Sequence, residues 1–124
     1  MKRILIVDDA ATIRMYYRFI LEGAGYRIDE AVNGIEAMEK TLQDEFDLYI
    51  VDINMPKMDG YGFLSDLRSR DMIRQVPAIM VSTESSGDDR SRAYRAGANL
   101  YLIKPAKPDE LLKNCRLLLG EVNA

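Results

Sequence analysis

Short, almost unbroken apolar runs recur along this chain, at Ile4–Val7, Leu48–Val51, Ala78–Val81 and Leu100–Ile103, and each stops abruptly at polar residues. Such runs are too short for helices buried on all sides, and their Ile and Val content favours extended backbone. Each therefore reads as a strand covered on both faces. Between the runs the apolar spacing changes to that of helices. Ile13, Tyr16, Tyr17, Ile20 and Leu21 form one face that ends before Gly23 and Gly25. Tyr26–Val32 is a more polar strand pattern that suits a sheet edge. Asn33 then caps a helix, with Glu36 in capping-box register and Ile35, Met38 and Leu42 on one face. Tyr61, Phe63, Leu64 and Leu67 give a third helical face. Ser86–Ala96 is a polar segment ending at Gly97, so it predicts a helix with a thin apolar stripe, marginal and mobile. Pro108 opens the last helix, with Asp109 and Glu110 near its N-terminus and Leu111, Leu112, Cys115, Leu118 and Leu119 facing inward. Strands alternating with helices over 124 residues predict an α/β fold in one domain, residues 1–124: a doubly wound five-stranded parallel sheet with five helices on its two faces.

Composition narrows the functions this fold can carry. A formal charge of −3 argues against a nucleic-acid surface, so output is expected to pass through a protein partner or through catalysis. Cys115 is the single cysteine and there is no histidine, which excludes an intramolecular disulfide and a Cys/His zinc set and fits the reducing cytoplasm. The apolar start stops at Asp8 and Asp9, too soon for a signal segment or a membrane span.

In a doubly wound sheet all strand C-termini lie along one edge, where such folds bind their ligands. The residues stationed there are Asp8 and Asp9, Asp52, Ser82 and Thr83, and Lys104. Clustered carboxylates repel one another and want a dication, and an all-oxygen set with water favours Mg²⁺. A metal held by Asp9 and Asp52 can bridge a phosphoryl oxygen while Lys104 neutralises another and Ser82 donates a hydrogen bond to a third. The free oxygen of Asp52 is then an attacking nucleophile, giving an aspartyl-phosphate. Met55 and Met58 read as packing residues, because thioether sulfur is a poor partner for a hard cation.

These residues carry a resemblance. Val7-Asp8-Asp9, the stretch D-I-N-M-P-K-M-D-G from Asp52 to Gly60, the strand-end Ser82 and the pair Lys104-Pro105 are similar to the receiver domain of bacterial two-component response regulators, over essentially the whole chain. The resemblance implies the flavodoxin-like, CheY-like architecture and Mg²⁺-dependent phosphotransfer to Asp52 from a phosphohistidine of a histidine kinase. It implies a metal held by Asp9, Asp52 and the backbone carbonyl of Asn54, with Asp8 acting through water, and a cis Lys104–Pro105 bond. Ser82 and Tyr101 would form a switch pair, with Tyr101 turning inward behind Ser82. Asn54, Thr83 and Glu84 would tune dephosphorylation. With no segment after the domain, the chain resembles the stand-alone chemotaxis regulators more than the DNA-binding ones. That likeness implies a monomer that signals to a protein target through the fourth helix, fifth strand and fifth helix, with no direct nucleic-acid or membrane contact; a phosphorelay intermediate is the alternative. There are departures. Ala11 stands where the family usually has a helix-capping Ser, Thr83 where it has a small residue, and Lys104-Pro105 is followed by Ala106 where an aromatic is often found.

Plainer readings exist for single residues: Asp52 satisfying loop amides, Lys104 as a solvated lysine, Tyr101 as a core aromatic that never moves. Two rival functions use the same architecture. A Mg²⁺-dependent phosphohydrolase with an Asp nucleophile would look for a second acid two residues later, where Asn54 stands. A flavin module would need a Ser/Thr/Gly-rich phosphate loop after the first strand, where Asp8 and Asp9 stand instead.

Overall fold

A computed structural model describes residues 1–121. The elements run β1 Arg3–Val7, α1 Ala11–Gly23, β2 Arg27–Ala31, α2 Gly34–Gln43, β3 Leu48–Asp52, α3 Gly60–Ser69, β4 Ala78–Ser82, α4 Gly87–Ala96, β5 Leu100–Ile103 and α5 Pro108–Leu118. All four strand pairings are parallel, in the order β2-β1-β3-β4-β5. The polar strand β2 is an edge, as its composition predicts.

Alternation along the buried strands divides the core in two. Ile4, Ile6, Leu48, Ile50, Ile79, Val81 and Leu102 point to one face, where Tyr17 and Leu21 of α1 and Leu111 and Cys115 of α5 cover them. Leu5, Val7, Tyr49, Val51, Met80 and Tyr101 point to the other, under Met38 of α2, Phe63, Leu64 and Leu67 of α3 and Ala93 of α4. The five-residue strands β3 and β4 are buried along their whole length, which explains why they read as continuous apolar runs.

Helix ends follow the local chemistry, with corrections. Asn33 caps α2 by accepting from the Glu36 N–H at 2.9 Å, but the returning Glu36 carboxylate reaches the N–H of Val32, one residue before the cap. The expected α2 face is rotated. Ile35 and Leu42 are 45% and 51% exposed, and Gly34, Ala37, Met38 and Thr41 are the buried set. The cause is a close approach at Gly34, whose N–H donates to the Met58 carbonyl at 3.2 Å and where a Cβ would stand 2.7 Å from that oxygen. Thr41 can join the buried side because its hydroxyl donates to the Met38 carbonyl at 2.7 Å. On α1 only Tyr17 and Leu21 are fully buried, and Tyr16 is 37% exposed. No side chain caps α1; its cap residue is Ala10, next to the Ala11 that the sequence flagged. In α4, Ser86 caps the start, Gly97 ends the helix at φ +116°, and Ala93 and Ala96 are its buried residues. No helix among the described residues is long and apolar enough to cross a membrane.

Candidate phosphoacceptor and metal site

The topology delivers the strand-end residues to one place. Asp52 ends β3 and is 6% exposed, Asp8 follows β1 and is 1% exposed, and Asp9 beside it is open to solvent. Each of the three offers a carboxylate oxygen, and these oxygens lie within 4.8 Å of one another. Lys104, just past β5, places its Nζ 2.7 Å from Asp52 Oδ1 and 3.2 Å from Asp8 Oδ2. Asp8 Oδ1 also accepts from the Ala10 N–H at 2.9 Å, and Arg14 donates to the Asp8 carbonyl at 2.8 Å, which fixes the β1–α1 turn.

The charges shape one another. Burial pushes the Asp52 carboxyl above its ordinary range; the Lys104 hydrogen bond pulls the other way, and the charges of Asp8 and Asp9 add to the rise. For Lys104 burial works against the ammonium, but the hydrogen bond to Asp52 and the charges of Asp8 and Asp52 outweigh it, and the group is held more firmly protonated than usual. Three carboxylates around one ammonium leave an excess of negative charge in a half-enclosed hollow. The donors are all oxygens, with no sulfur or imidazole, so the residues present fit a hard dication such as Mg²⁺.

The loop after Asp52 is held against the strand it leaves. The Gly60 N–H donates to the Ile53 carbonyl at 2.9 Å, and a Cβ at Gly60 would overlap the Asp52 carbonyl oxygen. Asn54 is exposed in that loop, while Met55 is buried and Met58 packs against the core, consistent with packing roles for both methionines. Ser82 is 1% exposed at the end of β4, and its Oγ accepts from the Glu84 N–H at 3.1 Å. The Glu84 carbonyl in turn accepts from the Tyr101 hydroxyl at 2.7 Å, so the backbone of one residue, Glu84, joins the two residues of the expected switch pair. Tyr101 lies inward, 5% exposed, with the Arg90 guanidinium 5.1 Å from its ring centroid. Thr83 and Glu84 are exposed. The Lys104–Pro105 peptide is cis, as the resemblance implies.

Sequence reasoning missed two features. Ile13, Tyr16, Tyr17, Thr83, Lys104, Pro105 and Ala106 line a cavity of 510 Å³ beside the carboxylates, so the site has an apolar wall. Tyr61, read as one of an apolar face, sits at the start of α3 with the Arg92 guanidinium 4.1 Å from its ring centroid. An Arg on the polar α4 face was the available signal, and periodicity alone does not pair it with a ring on another helix.

Residues 4–116 match the family model described as response regulator receiver domain. The transcriptional regulatory protein ResD of Bacillus subtilis is 37% identical over 94% of this chain, which spans only 48% of ResD. The chemotaxis protein CheY1 of Helicobacter pylori (strain ATCC 700392 / 26695) is 34% identical over 95% of this chain and 97% of its own length. Among solved structures, the receiver domain of sensor histidine kinase PA1611 from Pseudomonas aeruginosa PAO1, with a magnesium ion coordinated in its active site cleft, superposes with a TM-score of 0.88 at 29% identity, covering 96% of this chain and 98% of that one.

Proposed function

The chain belongs to the response regulator receiver domain family, and from that premise we propose that it is a phosphorylation switch that accepts a phosphoryl group on Asp52 from a phosphohistidine of a histidine kinase. One observation carries the reading: the buried Asp52 carboxylate, bonded through one oxygen to Lys104 at 2.7 Å, stands with Asp8 and Asp9 at the sheet edge. Its second oxygen attacks phosphorus, the P–N bond to the imidazole breaks, and the histidine leaves as the phosphoryl group becomes an acyl phosphate on Asp52. Lys104 leaves its carboxylate partners to neutralise a phosphoryl oxygen, and the Ser82 hydroxyl donates to another. Asp9, Asp52 and the Asn54 carbonyl would hold Mg²⁺, with Asp8 acting through water; when bound, the dication supplies Lewis-acid neutralisation of the transferring group. The solved receiver domain with magnesium in its cleft supports this assignment. Receiver domains catalyse their own phosphorylation and dephosphorylation rather than turnover of an external substrate.

The output is a population shift. Ser82 drawn toward the phosphoryl group gives up the Glu84 N–H, the peptide that holds Tyr101 moves, and the α4-β5-α5 surface takes up a form that binds a protein target. Asn54, Thr83 and Glu84, exposed in the loops after β3 and β4, set the lifetime of the acyl phosphate. A monomeric, cytoplasmic chemotaxis or motility regulator is the role we favour, because CheY1 of H. pylori is matched along 97% of its length. A phosphorelay intermediate is the second reading, favoured by the likeness to a receiver domain from a sensor kinase.

The test is incubation with Mg²⁺ and a small phosphodonor. The protein should form a stoichiometric, acid-stable and alkali-labile adduct that Asp52→Asn lacks. An adduct that persists in Asp52→Asn, or rapid multiple turnover of phosphate esters, would overturn the reading.

A further inference from the structure

Helix α4 has little to hold it. Its buried residues are Ala93 and Ala96, and the rest of its surface is charged or polar apart from Gly87 and the half-exposed Tyr94. Two alanines bury too little apolar area to fix a helix of this length against a sheet, so its position depends on side-chain contacts at its flanks. Over the first two turns these come from tyrosines. Arg90 stacks on Tyr101 of β5, and Arg92, the closer pair, stacks on Tyr61 of α3 at 4.1 Å. The Tyr61 hydroxyl lies 3.4 Å from the Asp89 carbonyl in the first turn of α4. The C-terminal end is held differently. Arg68 of α3 donates to the Gly97 carbonyl from Nε at 3.1 Å and Nη2 at 3.0 Å, and also to the Val76 carbonyl at 2.7 Å and Asn99 Oδ1 at 3.2 Å.

From this asymmetry we infer that Tyr61 is a positioning residue that latches the first two turns of α4 onto α3 through Arg92, while Arg68 and Gly97 pin the other end. The inference rests on the phosphoacceptor reading of Asp52, because it gives the site a second line to α4 besides Ser82, Glu84 and Tyr101. Gly60, next to Tyr61, touches the Asp52 carbonyl with no room for a Cβ and is bonded to Ile53. A displacement at the end of β3 therefore reaches Tyr61 without slack. Arg92 is exposed and Tyr61 is 8% exposed, so the pair closes at the surface, where one side can let go without opening the core.

Amide hydrogen exchange of the full chain, with and without beryllofluoride and Mg²⁺, tests the latch. Without beryllofluoride, Tyr61→Leu and Arg92→Gln should each speed exchange at residues 90–93 about fivefold, as expected for a lost cation–π contact. Residues 94–97 should be left near their original rates. Tyr61→Phe keeps the ring face and should resemble the original protein, and Arg92→Lys should recover part of the protection. The double variant Tyr61→Leu/Arg92→Gln should be no faster than either single one, since the two residues act through each other. Additive effects, or an equal rise at 94–97, would refute the latch and leave Tyr61 a general stability residue. Beryllofluoride should alter exchange at 90–93 in the original protein and alter it less in Arg92→Gln; an undiminished change would refute the second line to α4. Fluorine NMR of the bound adduct separates the two ideas: no adduct on the original protein would sink the phosphoacceptor reading, whereas an adduct with unaltered exchange in both single variants would sink the latch alone.

Discussion

Replacing Gly60 with alanine tests the packing on which the site is built. In most helix positions the exchange is favourable by about 0.5–1 kcal/mol, because alanine loses less backbone freedom. At Gly60 the new methyl would overlap the Asp52 carbonyl oxygen, stand 2.9 Å from the Ile53 Cα and 3.0 Å from the Met80 Cε. The methionine tip can swing aside, but the two backbone atoms cannot, because Gly60 is hydrogen-bonded to Ile53 and β3 is paired on both sides. Relief requires moving the start of α3 off the end of β3, an overpacking cost of about 1–3 kcal/mol that exceeds the propensity gain. We expect Gly60→Ala to lose about 2 kcal/mol and roughly 8 °C in Tm. Magnesium binding should weaken with it, since Asp52 and Asn54 flank the displaced chain. Gly23→Ala is the control: Gly23 closes α1 with nothing within 4 Å of the added carbon, so it should gain a few tenths of a kcal/mol, about 0.5. Urea unfolding of both variants, with equal m-values, reads the difference. A Gly60→Ala protein as stable as Gly23→Ala would show that the strand end and α3 are not in this contact.

Other groups give further expectations. Lys104→Met leaves Asp8 and Asp52 without their cation and should cost about 3 kcal/mol in chelator, the low end for breaking a buried pair, with Mg²⁺ restoring more stability to the variant than to the original protein; equal magnesium effects in urea melts would contradict the shared-oxygen geometry. Burial alone would raise the Glu30 carboxyl, but hydrogen bonds from Arg18 and Arg14, each at 2.7 Å, hold it below its ordinary value of 4.5. Its stabilisation is thus fully present above pH 4.5 and lost as pH falls through the depressed folded value. Glu30→Gln should therefore be less stable by about 1 kcal/mol at pH 7, with the gap closing in acid; a gap that is constant with pH would refute the assignment. Burial pushes the Cys115 thiol up to about 12, so a thiol reagent at pH 8 should modify it only as the protein unfolds, and prompt labelling of folded protein would contradict its placement on the buried face of α5.

How far the sequence could be read depends on whether a feature is periodic or relational. The strands β1, β3, β4 and β5 were legible because a strand buried on both faces has no choice but an apolar run, and the candidate site was legible because only the strand ends break those runs with charge. Helix α2 was not. Ile35, Met38 and Leu42 satisfy the helical period as well as Gly34, Ala37, Met38 and Thr41 do, and the hydropathy of isoleucine favours the wrong set. What decides is the absence of a side chain at Gly34, which lets the helix settle onto Met58, a contact that no pattern within the segment encodes. The same holds for Arg68, whose carbonyl acceptors lie on segments remote in the chain, and for Tyr61, which meets its arginine on the next helix.

Asp8 and Asp9 carry this distinction into the chemistry. Side by side in sequence, they are equivalent as letters; in the fold Asp8 is sealed against Lys104 and the Ala10 amide, while Asp9 faces solvent. The buried carboxylate has its oxygens committed, and the exposed one is free to meet an incoming cation. Asp52 is intermediate, with one oxygen on Lys104. One ammonium and three carboxylates therefore leave the site about two charges short of neutral, an imbalance that a dication would cancel. An acyl phosphate on Asp52, carrying about −1.5 to −2 in place of the carboxylate's single charge, would bring back up to about one charge of it. Of the site's residues only Lys104 can answer by moving charge, and in doing so it must release Asp8 and Asp52. Part of the energy available to a switch here is thus the difference between two sets of lysine contacts, and that part vanishes if Lys104 keeps its present partners when the phosphoryl group arrives.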